Sequence, residues 1–248
     1  MKARVLAYVR AIYDRLAQRQ IAGCPTLHRE LRAYLQRSGS TGCNHLDYWE
    51  LYRAVRRLKP REILECGTGV STVVLAIALA ENERETGIKG RITSAEEIPK
   101  YFEMAKSIFP SAYAHYVDFV LSPRIEDNIG MFRGVRYRDI PNRPYDFVFV
   151  DGPDYRAPSD GSLTFDFDFI HVLRHSERPI HGLVDKRVST CFVLQRLLGS
   201  ALVRYDATKH LGFIGPASRT DIRQFNPKAP SEAFLQSFCL VGNSELSF

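Results

Sequence analysis

The sequence predicts an α/β fold in which a doubly wound, mostly parallel sheet of seven strands follows a cap of helices. Three observations carry that expectation. From Pro60 onward, short apolar runs of strand length alternate with stretches of helical length, the pattern of parallel strands joined by crossover helices. Four of these runs end in an acid: Glu65, Glu96, Asp151 and Asp185. The first run enters its helix through a turn holding two glycines, Gly67 and Gly69. In open parallel sheets, ligands bind outside such carboxyl-terminal strand ends.

Taken in order, residues 1–58 read as a basic helical segment packed on a main domain of residues 59–248. Val5, Val9, Ile12 and Leu16 recur at helical spacing. Thr26 is a candidate cap for a second helix carrying Leu27, Leu31, Tyr34 and Leu35, and residues 38–43 form a polar, glycine-containing loop. Asn44 suits the cap of a third helix over residues 45–58, with Leu51, Val55 and Leu58 on one face and a stop before Pro60. Ile63 and Leu64 then end the first buried strand, and residues 73–79 continue as its helix. After a polar loop at 81–90, the second strand is expected at 91–95 and the third at 117–121. Between them Pro99 starts a helix that runs through Tyr101, Met104, Ala105 and Ile108 to Pro110. Residues 124–143, with Gly130 and Gly134, are expected to hold a short helix. Strands four and five follow at 146–150 and 180–184, then a helix over 190–198; residues 202–205 and 234–241 supply the two closing strands.

A chain of 248 residues accommodates one α/β domain with an appendage. The net charge of +6 is uneven: residues 1–59 hold twelve Lys/Arg against four Asp/Glu, and the remainder is slightly acidic. That surplus suits the solvated outer face of cap helices better than a nucleic-acid surface, because neither aromatic interleaving nor a nucleic-acid motif accompanies it. The five cysteines are odd in number and widely spaced, without a C-x-x-C pair, which points to reduced thiols in a cytoplasmic protein. Arg4, Arg10, Arg15 and Arg19 break up any apolar leader, and no apolar run approaches the roughly 20 residues of a membrane span, so no membrane partner is expected.

The chemistry gathers at the strand ends. Gly67 and Gly69 remove the Cβ atoms that would keep a ligand from the backbone, and they permit positive φ. The next helix offers unpaired N–H groups that Ser71 or Thr72 can cap. A dinucleotide-binding turn would carry a third glycine where Thr72 stands. Glu65, two residues before the first glycine, would repel a pyrophosphate and suits a cationic, amino-acid-like ligand. The pattern Glu65, Gly67, Gly69, Ser71, Thr72 resembles motif I of the class I S-adenosylmethionine-dependent methyltransferases. The resemblance implies S-adenosylmethionine as cofactor, with Glu65, Gly67, Thr68, Gly69, Ser71 and Thr72 under its methionine and ribose parts. Residues 93–101 resemble the family's second strand, acid, proline and aromatic. Glu96 is thereby implied as the ribose ligand with Glu97 beside it, and Ser122 falls where the family contacts the adenine ring.

Residues 145–153, Tyr-Asp-Phe-Val-Phe-Val-Asp-Gly-Pro, resemble the family's fourth strand, whose terminal acid stands beside the transferred methyl group; here it is Asp151. In the catechol O-methyltransferase branch this acid, the acid after the fifth strand and an adjacent Asn hold Mg²⁺. Asp151 and Asp185 match the two acids, but Lys186 stands in place of Asn. An ammonium competes with a divalent cation for carboxylates, so no metal is expected. Asp151 and Lys186 are the candidate catalytic residues, either one as base. No N/D-P-P-Y signature of amine methylation is present, which by elimination favours a small-molecule hydroxyl acceptor. His171 and His175 share a helical face with His181 nearby, but lack the Glu of H-E-x-x-H; Lys209 and His210 fall near the last strands. The resemblance covers residues 60–202. The alternatives are a catalytically silent protein binding S-adenosylmethionine or S-adenosylhomocysteine, and an NAD(P)-dependent oxidoreductase, which Glu65 and Thr72 disfavour.

Overall fold

The computed structural model describes residues 2–38 and 44–222. Three helices come first: α1 (Lys2–Ala22), α2 (Pro25–Arg37) and α3 (His45–Leu58). Asn44 caps α3 as the sequence predicts, accepting from the Asp47 N–H while the Asp47 carboxylate accepts from the Asn44 N–H. Thr26 is not the cap of α2; Cys24 holds that position and Pro25 begins the helix. Of the residues at helical spacing in α1, Val9 is half-buried. Ile12 and Leu16 are exposed, while Ala17 and Ile21 are buried. Two polar residues turn the helix: Arg10 pairs with Asp47, and Asp14 accepts from the Leu46 N–H at the start of α3.

The main domain alternates as expected through β1 (Glu62–Cys66), α4 (Val70–Thr86), β2 (Arg91–Glu96), α5 (Pro99–Ile108) and β3 (Val117–Leu121). The 124–143 stretch is not helical. It forms a hairpin, β4 (Arg124–Ile129) and β5 (Phe132–Tyr137), whose two-residue loop places Gly130 at φ +57. Positive φ at the first loop position matches strand twist in a tight hairpin, and glycine adopts it freely. Next come β6 (Phe147–Val150), β7 (Phe165–Asp166), α6 (Asp168–His175), β8 (Ile180–Asp185), α7 (Val188–Leu198), β9 (Val203–Asp206) and β10 (Leu211–Ala217). The sequence does not predict β10 as a strand; the closing strand expected at residues 234–241 lies outside the described residues.

The main sheet has seven strands in the order β3-β2-β1-β6-β8-β10-β9, with β10 antiparallel to both neighbours and the other pairs parallel. A second sheet, β4-β5-β7, stands beside it. Alternate residues of the central strands feed two cores. Ile63, Phe147, Phe149 and Leu183 face α4 and the cap helices. Leu64, Cys66, Val148, Val150 and Val184 face α6, α7 and the small sheet. From Val73 to Leu79, α4 is apolar all round and buried all round. Such a helix needs cover on both sides; the sheet supplies one, and Leu27, Leu31, Leu51 and Val55 of α2 and α3 supply the other.

Candidate functional site

Strand register brings the predicted residues into one row. Cys66 pairs with both Ala95 and Val150, and Val150 pairs with Val184. The residues that follow, Gly67, Glu96, Asp151 and Asp185, therefore leave the sheet together at its carboxyl-terminal edge. The chain runs outward from β1 through β2 and β3 and returns on the other side at β6. The crevice between β1 and β6 is thus the topological switch point, where ligands of open parallel sheets bind.

Glu65 is fully buried. Its Oε2 accepts from Thr72 Oγ1 at 2.7 Å and from Ser94 Oγ at 2.6 Å. Its other oxygen, Oε1, has no hydrogen-bond partner among the described residues. Burial raises its pKa to about 7, against hydroxyls of Ser71, Ser94 and Thr72 that favour the ionised form. Thr72 Oγ1 also accepts from the Gly69 N–H at 3.0 Å, so one hydroxyl caps α4 and orients the acid. Thr68 Oγ1 lies 2.8 Å from Ser94 Oγ and extends this polar network towards the turn.

The two glycines do different work. A Cβ on Gly69 would meet nothing within 4 Å, so the space beyond it is open to a ligand. Gly67 has φ +99, and a Cβ there would meet the Asp151 carbonyl at 3.1 Å and the Gly152 nitrogen at 3.2 Å. A Cβ at Gly67 would meet the neighbouring strand-end turn, whereas one at Gly69 would point into open space.

Glu96 is buried; its Oε1 accepts from the Glu97 and Ile98 N–H groups, both at 2.9 Å. Burial raises its pKa, and those N–H groups oppose the rise. Glu97 points elsewhere. It accepts from the Asp154 N–H at 2.8 Å and pairs with Arg124 Nε at 3.3 Å, tying the loop after β6 to the hairpin. Ser122 is fully buried, and its Oγ accepts from the Asp139 N–H at 2.8 Å. It joins the end of β3 to the segment after β5.

Asp151 follows β6, and a residue that sequence reasoning missed holds its turn in place. Arg187 donates to the Asp151 carbonyl at 2.6 Å, the Pro153 carbonyl at 2.7 Å and Asp166 Oδ1 at 2.6 Å. Asp185 is buried, and its pKa is raised to about 6 by burial first and by the Asp151 charge second, with Lys186 opposing. Lys186 Nζ stands 3.3 Å from Asp185 Oδ2 and 3.6 Å from Asp47 Oδ2. Asp47, on the first turn of α3 and part of its capping box, is a second residue that sequence reasoning missed. Its pKa is also raised to about 6, by burial and then by Asp185. Lys209 is engaged with Glu50 at 2.8 Å, and the His210 carbonyl accepts from the Lys186 N–H.

A cofactor with a cationic amino-acid end fits these residues: a buried Glu65 oxygen lacks a donor, and Gly69, joined to the same acid through Thr72 Oγ1, leaves open space. Among the described residues, no group of three or more His, Cys, Asp or Glu side chains is arranged to hold a metal ion. His171 and His175 lie 4.9 Å apart, ring to ring, on α6 without a third such side chain. Among the described residues no helix is long and apolar enough to cross a membrane.

No protein-family model and no curated protein matches the chain. Solved structures do show likenesses. The O-methyltransferase TomG from Streptomyces achromogenes, involved in tomaymycin synthesis and in complex with SAM, is 20% identical over 73% of this chain and 71% of its own, with a TM-score of 0.43. An O-methyltransferase from Bacillus cereus in complex with SAH is 18% identical over 75% of this chain and 89% of its own, at 0.46. A SAM-dependent methyltransferase from Aquifex aeolicus is 12% identical over 74% of this chain and 95% of its own, at 0.41.

Proposed function

We propose that this chain is an S-adenosylmethionine-dependent methyltransferase whose acceptor is a small-molecule hydroxyl. The observation that carries the reading is Glu65, a fully buried acid with one oxygen lacking a donor, joined through Thr72 Oγ1 to Gly69, where the space is open. A buried carboxylate oxygen without a partner is costly, and a ligand ammonium removes that cost. A pyrophosphate would aggravate it, which counts against an NAD(P) enzyme. S-adenosylmethionine supplies a methyl group on a sulfonium, and its transfer to a nucleophile is a direct displacement.

The rest falls to the chain's own residues. Glu65 takes the ammonium end, and Glu96 accepts from ribose hydroxyls while its Oε1 stays on the start of α5. The strand-end turns hold donor and acceptor in line, at about 3–3.5 Å between reacting atoms, and exclude water. Asp151 stands at the end of β6 to receive the acceptor's proton. Asp185, with Lys186 beside it, makes the acceptor side polar, which supports a hydroxyl over an apolar carbon nucleophile.

Thermal-shift and calorimetric titration with S-adenosylmethionine, S-adenosylhomocysteine and NAD(P) tests the reading. Stabilisation by both sulfur ligands and not by NAD(P) is expected; binding of NAD(P) alone, or of none, overturns it. Turnover against a panel of phenols and alcohols then separates an enzyme from a silent binding protein.

A further inference from the structure

We propose that Asp47, from the N-terminal helical segment, is a positioning residue of the acceptor site: it fixes the Lys186 ammonium against Asp185 as a built-in cation for a neutral hydroxyl acceptor. What that cation does to an acceptor rests on the methyltransferase reading; the link between Asp47 and Lys186 stands without it.

Lys186 has a left-handed backbone, φ +52, which a residue with a Cβ adopts only when its surroundings impose it. Its N–H donates to the His210 carbonyl at 2.8 Å. The side chain then reaches the start of α3, where Asp47 Oδ2 lies 3.6 Å from Nζ, with Asp185 Oδ2 at 3.3 Å on the other side. Asp47 itself cannot swing away. It is buried, accepts from the Asn44 N–H at 3.1 Å, and has an Arg10 guanidinium nitrogen 3.4 Å from Oδ1. Farther along the same helix, Glu50 pairs with Lys209 at 2.8 Å, which fastens α3 to the loop between β9 and β10.

An amine with carboxylate oxygens on two sides is held as an ammonium. Lys186 is therefore not the base. It donates to the acceptor oxygen and stabilises the negative charge that grows there as the proton leaves. The oxygen–carbon bond forms while the carbon–sulfur bond breaks. The hydroxyl proton passes to Asp151, the sulfonium becomes a neutral thioether, and Lys186 keeps all its protons.

The experiment compares intact wild type, Asp47→Asn, Asp47→Glu and Asn44→Ala. Modification of each lysine by trace acetic anhydride, which reacts only with the neutral amine, is followed by mass spectrometry. Losing one carboxylate at this range should raise the Lys186 labelling rate about fivefold in Asp47→Asn, with Asp47→Glu restoring the slow rate. Asn44→Ala removes the same helix cap but leaves the charge, so it should lower stability without changing Lys186 labelling. Equal labelling of Lys186 in wild type and Asp47→Asn, or equal acceleration in Asn44→Ala, overturns the proposal. Should Asp47→Asn not fold, Lys186→Met is read instead by carboxyl ¹³C NMR: Asp47 should titrate at higher pH than in wild type, and an unchanged titration overturns the link. Calorimetry with S-adenosylhomocysteine on the same proteins keeps the two ideas apart. Wild type that fails to bind it sinks the methyltransferase reading, whatever the labelling result.

Discussion

At the scale of single residues, Glu65 makes the sharpest prediction. In the free protein its pKa is about 7, raised by burial above an ordinary 4.5. A ligand ammonium favours the ionised form, so binding below pH 7 must expel a proton. S-adenosylhomocysteine affinity should therefore fall as pH drops through about 7, approaching tenfold per unit. Calorimetry at pH 6 in two buffers of different ionisation heat should register the released proton; equal affinity at pH 6 and pH 8 would count against the assignment. For folding the sign runs the other way. A raised acid pKa favours the folded state at low pH, so the Glu65 contribution to stability is lost as pH rises from about 4.5 towards about 7. The glycines give a second pair of outcomes. Gly69→Val should abolish ligand binding with the melting temperature nearly kept, because its Cβ meets nothing. Gly67→Ala should cost about 1–2 kcal/mol for its left-handed backbone alone, plus the contact with the Asp151 carbonyl. Glu65 and Thr72 were legible in the sequence because the turn fixes their spacing. Asp47 was not, since nothing local says that a helix cap 138 positions before Asp185 will meet it.

At the scale of elements, Arg187 shows how α7 supports the site. It joins the turn after β6 to Asp166 of β7, a fully buried acid that also accepts from Thr190 Oγ1. Arg187→Met leaves Asp166 buried without its counter-charge, a loss of about 3–5 kcal/mol. The loss should be larger at pH 8 than at pH 5, where the carboxyl, already raised to about 6 by burial, carries a proton. Urea midpoints at the two pH values check this, and adding Asp166→Asn should recover part of the loss. Central strands were legible because strands buried on both faces read as continuous apolar runs. The edges were not. β10 contains Gly212, Gly215 and Pro216, residues that strands disfavour, yet Pro216 sits where the pairing with β8 slips between Ile214 and Ala217, and a bulge tolerates it. The β4–β5 hairpin is held by cross-strand charge pairs, Arg133 with Glu126 and Arg136 with Asp127, so its alternation was hidden by charge.

At the scale of the whole molecule, the question is whether residues 1–58 are a separable basic module or part of the main domain's fold. The apolar circumference of α4 answers physically: one side needs the sheet and the other needs the cap. Leu27, Leu31, Leu51 and Val55 are all within 2% of full burial and share one core with Val73 to Leu79. Each such side chain contributes about 1.5–3 kcal/mol, so losing several removes most of the roughly 5–15 kcal/mol that keeps a domain folded. Deleting residues 1–58 should therefore give aggregated protein without a cooperative unfolding transition, not a soluble domain that merely loses acceptor turnover. The arginines on the outer face belong to the same question. Arg15, Arg19 and Arg32 line grooves beside α1 and α2 together with His28, with no Phe, Tyr or Trp among the groove residues for stacking bases. Intact protein should bind a generic RNA or duplex DNA only weakly at physiological salt, and turnover of a small acceptor should change little between 50 and 200 mM salt. A soluble, folded fragment beginning at residue 59, together with tight nucleic-acid binding by the intact chain that weakens steeply with salt, would establish the cap as a nucleic-acid module and remove Asp47 from the catalytic side of the molecule.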